Sequence, residues 1–177
     1  AGCNLADYYL DDGQLLEAET TIATLRRHGD SPFISARKVR LEALKGNQES
    51  ACSALREILR GDEGDWPATT AISAFRKAGW ASRLEQEIAD RIAAGSCHPV
   101  AIRHWIEQQG RGRLPGSFYR DMKRALANDP HHTFMRGLLS FVGARADAGL
   151  MNRLLNHYRR TLIEDAQCWA LVSYGLL

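Results

Sequence analysis

The sequence predicts an all-α protein, built as a solenoid of stacked helix pairs. Apolar residues recur at three- and four-residue steps along most of the chain, as in Leu5, Tyr8 and Tyr9, which is typical of amphipathic helices. Four glycines follow one another at intervals of 33 residues, and a repeat of this length indicates stacked structural units. No segment combines period-two alternation with many β-branched residues, so we expect no strands.

The repeating glycines are Gly13, Gly46, Gly79 and Gly112. Each is expected to end the first helix of a unit, because glycine adopts the left-handed conformation at little cost. Similar residues also recur at fixed distances after the first three glycines, namely Ala18, Ala51 and Leu84, and then Ile22, Leu55 and Ile88. Burying an Ile or Leu side chain contributes about 1.5–3 kcal/mol, so the Ile22, Leu55 and Ile88 column is expected to hold neighbouring units together.

Three helix starts carry capping signals. Ser31 before Pro32 predicts an N-cap followed by proline at the first helical position. Ser82 and Glu85 have the spacing of a capping box. We interpret Asp65 as the N-cap of the next helix and not as part of a calcium loop, because the oxygen ligands that such a loop requires are missing.

We therefore expect helices over residues 2–11, 14–28, 32–45, 47–60, 66–78, 82–94, 99–109, 115–127, 133–144, 147–161 and from about 165 to the end. They would form units of about 1–31, 32–64, 65–97, 98–131 and 132–164, with a half unit at 165–177. We predict one continuous repeat domain over residues 1–177. The end helices would lack a packing partner, so we expect the domain to be a fragment of a longer chain.

The first unit resembles a tetratricopeptide repeat. Residues 4–18, with the sequence NLADYYLDDGQLLEA, carry the family's Leu, small residue, Tyr, Gly and Ala in order. The second unit matches at Gly46, Ala51, Leu55 and Ile58 and the third at Phe75, Gly79 and Ile88, while Glu42 and Leu84 depart from the pattern and later units are degenerate. The resemblance implies a right-handed α-α superhelix of about five helix pairs plus one terminal helix. It carries little information about function.

Composition argues against several classes of function. A net charge of +2 is too small to indicate a nucleic-acid partner. No stretch approaches the roughly 18 consecutive apolar residues of a membrane span, so we expect no membrane insertion. The four cysteines form no C-x-x-C pair, which favours buried thiols in a reducing compartment over disulfides. We therefore expect a cytoplasmic protein of bacterial type.

No pattern of catalytic or metal-binding residues emerges from the sequence. Cys97 and His98 with His104, and the pair His131 and His132, come nearest to a metal site, but their spacing matches no zinc pattern. Serines and histidines are scattered without a nucleophile motif. We therefore expect no enzymatic activity, no cofactor and no bound metal.

The family resemblance implies a partner-binding groove lined by one face of each first helix. Carried onto this sequence, the groove contains Asp7, Phe33, Arg40, Trp66, Ser73, Arg76, Lys77 and Ile106. The Lys and Asn with which some members hold a C-terminal carboxylate are replaced by Cys3 and Asp7, which disfavours a receptor for such tails. Basic side chains beside Phe33 and Trp66 suit an extended peptide with acidic and aromatic residues.

The predicted function is a protein–protein interaction scaffold that binds a partner protein or peptide. Two alternatives remain open: a domain that regulates or positions an enzyme or transcription regulator, and a self-association module. For self-association the sequence offers the last helix, where Trp169, Val172 and Leu176 form an apolar face. We expect part of that face to be uncovered and to join copies of the chain through the ends of the array.

Overall fold

The computed structural model describes residues 2–61, 64–94, 97–108, 122–123, 125–127, 132–144 and 148–176. These residues form helices and connecting turns and contain no strand, which confirms the all-α class. None of the described helices has the length and apolar character that a bilayer crossing requires. The chain divides into two compact units that each contain more than one helix pair, the first unit being Ala1–Arg91 and the second unit Ile92–Leu177. One continuous array over the whole chain stays a prediction.

The first unit consists of helices that follow the predicted bounds to within one residue. The structure places α1 at Gly2–Asp11, α2 at Leu15–His28, α3 at Pro32–Lys45, α4 at Gln48–Arg60, α5 at Asp65–Lys77 and α6 at Ala81–Ala93. Helix α3 packs against α1, α2, α4 and α5. The three residues of the predicted interior column, Ile22, Leu55 and Ile88, are 3%, 0% and 0% exposed, so the repeat does place them in the core.

Ser31 caps α3 as predicted. Its backbone is extended, with φ −152° and ψ 154°, and its side-chain oxygen accepts a hydrogen bond from the backbone N–H of Ile34 at 3.4 Å. Pro32 occupies the first turn, where its missing N–H costs no hydrogen bond. Local sequence therefore determines where this helix begins.

The other two predicted caps are wrong. Helix α5 already begins at Asp65, and its N-cap is Gly64, with φ 71° and ψ 151°. The Asp65 carboxylate thus belongs to the first turn, where the helix dipole favours a negative charge. Ser82 lies inside α6, which begins at Ala81, so the capping-box spacing has no role at that position.

The glycines of the repeat have the left-handed backbone that the sequence predicts. Gly13, Gly46 and Gly79 have φ values of 75°, 77° and 76° and follow the ends of α1, α3 and α5. At Gly46 the backbone N–H also binds carbonyl groups of the last turn of α3. Gly112 lies outside the described residues. The first three repeats are therefore marked by the same turn conformation at the same interval.

The described helices of the second unit are α7 (Pro99–Gln108), α8 (Thr133–Ala144), α9 (Ala148–Glu164) and α10 (Ala166–Leu176). Helix α8 packs against α7, α9 and α10, and Ile102, Leu138 and Leu139 are completely buried. The predicted helix over residues 115–127 falls mostly outside the described residues, although 122–123 and 125–127 are helical. The helix-pair pattern is thus seen only in part in this unit.

Helices α9 and α10 differ from the prediction in two details. Helix α9 extends beyond residue 161 to Glu164 and bends at Tyr158, whose φ of −118° and ψ of 22° are not helical. On α10, Cys168 and Val172 are 0% and 1% exposed, whereas Trp169 is 46% exposed. Trp169 therefore does not share the buried face of Val172, which continues one turn earlier through Cys168. The side chain of Leu176 is not among the described ones.

Candidate partner-binding surface

The first helices of the first unit carry one stripe each of polar and aromatic side chains. We call these stripes the first-helix surface, and it consists of Asp7 and Asp11 on α1, Phe33, Arg37 and Arg40 on α3, and Trp66, Ser73, Arg76 and Lys77 on α5. Within each helix the residues are spaced so that they lie on one side. Helix α3 contacts both α1 and α5, so the three stripes adjoin.

Phe33 and Trp66 form a stacked aromatic pair at one end of this surface. Their ring centroids are 5.8 Å apart and their planes differ by 16°. Each ring stands in the first turn of its helix, and the two positions are one 33-residue repeat apart. The pair nevertheless stays accessible, because Phe33 is 44% and Trp66 is 42% exposed. Two residues of the predicted groove are therefore brought together as one apolar contact area.

Arg37, which the sequence did not single out, links all three helices of the surface. It is only 6% exposed, and its guanidinium carbon lies 4.7 Å from the centroid of the Trp66 ring, within cation–π range. It donates to the backbone carbonyl oxygens of Cys3 at 3.1 Å and Phe33 at 2.8 Å, and to the carboxylate of Asp7. Arg37 lies one turn of α3 after Phe33, and this spacing from a predicted groove residue could have identified it from the sequence.

Arg40 and Asp7, two more residues of the predicted groove, bind each other. Arg40 Nη1 donates to Asp7 Oδ1 at 3.0 Å, and Arg40 Nη2 donates to Asp11 Oδ1 at 2.6 Å. Asp7 accepts from Arg37 as well. The positive charges of both arginines are thus compensated by α1. Arg40 consequently supplies much less attraction for an acidic partner than its place in the sequence suggests.

The uncompensated positive charge of the surface lies at the other end of α5. Arg76 and Lys77 are exposed, and neither forms an ion pair with another residue in the described part of the chain. Their position in the last turn is also favourable for the helix dipole, so they stabilise α5 without any partner. Ser73 is half-buried between these cations and the aromatic pair.

Ile106 does not belong to an accessible surface. It lies on α7 of the second unit and is 0% exposed, and its neighbours Ile102 and Trp105 are also buried. Helix α7 buries more than one of its faces, so the face that was expected to line the groove is packed. The predicted groove position of Ile106 is corrected to a core position.

The second unit contains the same contact between successive helix starts, with different chemistry. His132 and Asp165 are 33 residues apart and precede α8 and α10, and His132 Nδ1 lies 3.0 Å from Asp165 Oδ2. Arg136, four residues after His132, donates to the same carboxylate oxygen at 3.3 Å. Arg136 thus contacts Asp165 in the same way that Arg37, four residues after Phe33, contacts Trp66. The repeat geometry recurs, but here it joins charges instead of aromatic rings.

His132, Asp165 and Cys168 bring three possible metal-ligand atoms within 4.8 Å of one another. Asp165 Oδ1 accepts from the backbone N–H groups of Gln167 at 3.0 Å and Cys168 at 2.9 Å and so caps α10. The Cys168 N–H, followed by His132 and Arg136, lowers the pKa of Asp165 to about 2. Burial raises the pKa of the Cys168 thiol to about 11.

A guanidinium group and a protonated thiol both oppose a metal ion at this cluster, because cations repel and the thiolate is the ligand form of cysteine. The cluster is therefore better explained as a helix cap. At the other predicted group, Cys97, His98 and His104 are buried. His98 directly precedes α7, and its Nδ1 accepts a hydrogen bond at 3.2 Å from the backbone N–H of Val100 in the first turn of that helix. His131 lies outside the described residues.

Comparisons of the chain with models of protein families, with curated proteins and with solved structures found no match.

Proposed function

We propose that the chain is a protein-interaction module with a tetratricopeptide-like, right-handed superhelical arrangement, and that the first-helix surface binds an extended peptide with aromatic and acidic residues. The observation that carries the proposal is the stacked pair of Phe33 and Trp66, held by Arg37 yet more than two-fifths exposed. Large aromatic side chains and arginines dominate the energetics of protein interfaces.

The pair is already ordered in the unbound protein, and this favours binding. Trp66 contacts the Phe33 ring, and the Arg37 side chain that approaches it is itself fixed by three hydrogen-bond acceptors. A side chain that is immobile before binding loses little rotamer entropy when a partner arrives. An aromatic or aliphatic residue of a peptide can therefore pack against these rings at a low entropic cost.

The exposed charges at the end of α5, on Arg76 and Lys77, determine the second half of the peptide that we propose as the ligand. Lys77 stands 11 positions after Trp66 on one helix, a rise of about 16 Å at 1.5 Å per residue. An extended peptide covers that distance in about five residues. We therefore propose a ligand motif in which an aromatic residue and one or two carboxylates are separated by about five positions. The hydroxyl of Ser73 lies between the two ends and suits a polar residue or a backbone group.

The superhelical part of the proposal is supported by contacts between equivalent positions. Asp7 with Arg40 and Phe33 with Trp66 are both one 33-residue repeat apart, and both pairs are in direct contact. Such contacts are expected when the first helices of successive repeats stack in register. They also explain why the surface combines residues from several repeats.

The proposal is tested by selecting peptides of about 12 random residues on the immobilised chain, and by measuring the affinity of the selected peptides by fluorescence anisotropy. We expect enrichment of an aromatic residue and of Asp or Glu about five positions away. Trp66→Ala and the double variant Arg76→Glu, Lys77→Glu should each weaken binding at least tenfold.

The matched control is the double variant Arg27→Glu, Arg60→Glu. It reverses two exposed charges on the second helices α2 and α4 and should leave the affinity within about twofold, since these side chains lie off the first-helix surface. Peptides without the motif, or equal losses in both double variants, would overturn the proposed site. Circular dichroism of each variant distinguishes lost binding from lost folding.

A further inference from the structure

A cleft of about 270 Å³ opens in the second unit, beside the bend of α9 at Tyr158. Its described lining residues are Met122, Lys123, Leu150, Arg153, Leu154, His157 and Tyr158. The last five of these residues lie on α9 and are one or three positions apart, so they form one continuous side of that helix. Met122 and Lys123 approach from the helical residues 122–123.

The cleft is apolar inside and basic outside. Leu150, Leu154 and Met122 form its floor and are 2%, 1% and 8% exposed. Lys123, Arg153 and His157 are exposed at its edge, and none of the described lining residues is acidic. Ligand pockets typically have this combination of apolar walls with a few polar groups that fix the orientation of the ligand.

The backbone of α9 is irregular beside the cleft. Tyr158, at one end of the cleft, has the non-helical φ of −118° and ψ of 22° that bend α9. No proline stands near the bend, so the usual sequence cause of a kink is missing. His157 Nδ1 lies 3.1 Å from the carbonyl oxygen of Arg153, which holds the imidazole against the helix beside the opening.

We propose that this cleft binds a small amphipathic carboxylate, with its hydrocarbon chain against Met122, Leu150 and Leu154 and its carboxylate at Lys123 and Arg153. A cleft of about 270 Å³ is large enough for a short hydrocarbon chain that ends in a carboxylate. A medium-chain fatty acid has this size and this distribution of charge. The site is separate from the first-helix surface, since the lining residues that the structure describes belong to the second unit.

The probe is octanoate, compared with octanol and octylammonium, which share its chain and differ in charge. Binding is followed by two-dimensional ¹H–¹⁵N NMR of the whole chain at neutral pH. Octanoate should bind about fivefold more tightly than octanol, since each of the two exposed charge contacts contributes between roughly 1.5-fold and fivefold. Octylammonium should bind most weakly, and the shifts should concentrate on residues 150–158 and 122–123.

The double variant Lys123→Gln, Arg153→Gln should lose about fivefold in octanoate affinity and stay within about twofold for octanol. The matched control, Arg159→Gln with Arg160→Gln, removes two exposed charges of the same helix that do not line the cleft and should retain the wild-type preference. Equal binding of the three probes, shifts centred elsewhere, or the same loss in both variants would each overturn the proposal. Both variants change only exposed side chains, so their melting temperatures should match the wild type.

Discussion

Phe33 and Trp66 stack because each stands in the first turn of a helix, and the two helices begin one 33-residue repeat apart. The repeat therefore aligns side chains as well as backbones. The same interval places Asp7 against Arg40 and, in the second unit, His132 against Asp165. A side chain at one of these positions thus contacts the side chain at the equivalent position of the next repeat.

The first prediction concerns the energy of the aromatic pair. A double-mutant cycle with Phe33→Ala and Trp66→Ala should give a coupling energy of about 0.5–1.5 kcal/mol in urea unfolding, because stacked rings contribute beyond the area they bury. A parallel cycle of Phe33→Ala with Leu16→Ala should be additive, since Leu16 is 72% exposed on the second helix α2. Additivity in both cycles would show that the rings do not interact in solution.

The second prediction concerns the buried arginine. Asp7→Ala should destabilise the protein by about 2–3 kcal/mol, because it removes the carboxylate that pairs with the Arg37 side chain, which is 7% exposed. Asp11→Ala, which removes the 72% exposed partner of Arg40, should cost less than about 0.5 kcal/mol. Denaturant unfolding of the two variants gives the comparison, and similar losses would contradict the structural role of Arg37.

The third prediction concerns the turn glycines. Gly46→Ala should cost about 1–2 kcal/mol, because the φ of 77° is unfavourable for any residue with a Cβ although no atom lies within 4 Å of the added carbon. Gly61→Ala is the control, since Gly61 has φ −90° and should tolerate alanine. Gly64 would not serve, because its φ of 71° carries the same strain. Thermal or urea unfolding measures the difference.

The fourth prediction concerns acid stability. The pKa of Asp165 is lowered to about 2 in the folded protein, so its ionised form stabilises the fold above the ordinary pKa near 3.8 and this contribution is lost as the pH falls towards 2. Asp165→Asn should therefore be less stable than the wild type by about 1–2 kcal/mol at pH 5, after allowance for partial solvent screening. The difference should shrink steadily between pH 4 and pH 2. A difference that does not depend on pH would contradict the stabilisation of the ionised carboxylate by the Cys168 N–H, His132 and Arg136.

The fifth prediction concerns thiol reactivity. Cys52, Cys97 and Cys168 are buried, whereas Cys3 is half-buried near the start of α1. The pKa of Cys168 is raised to about 11 by burial, which suppresses its reactive thiolate at neutral pH. We expect a disulfide reagent such as dithiobis(nitrobenzoate) to modify one thiol of the native protein quickly and all four only in denaturant. Rapid reaction of a second thiol would indicate that the fold opens locally.

The helices of the first unit could be predicted to within one residue because their signals are local. Gly13, Gly46 and Gly79 end helices through their own conformational freedom, and Ser31 caps α3 through a bond to a residue three positions later. The capping box at Ser82 failed because the chain had already entered the helix at Ala81. A motif of four residues cannot show which turn of the helix it occupies.

The candidate site was predicted less well because its chemistry depends on contacts between helices. The sequence placed Arg40 on the correct face but could not show that Asp7 and Asp11 compensate its charge. It missed Arg37, whose contacts to Cys3 and Asp7 join residues about 30 positions apart. The interval of 33 residues that relates the turn glycines and the core residues also relates Phe33 to Trp66 and Asp7 to Arg40, so these two contacts could be predicted from the sequence.

The contacts between positions one repeat apart also bear on how fast this chain reaches its native state. Asp7 with Arg40, Phe33 with Trp66 and His132 with Asp165 each join residues 33 positions apart, so each closes a loop of one repeat. Closing short loops costs little chain entropy, and folding rates rise as the mean sequence separation of contacts falls. We therefore expect each of the two compact units to fold within roughly milliseconds, and we expect a helix pair to dock on its neighbour as soon as that neighbour has been synthesised.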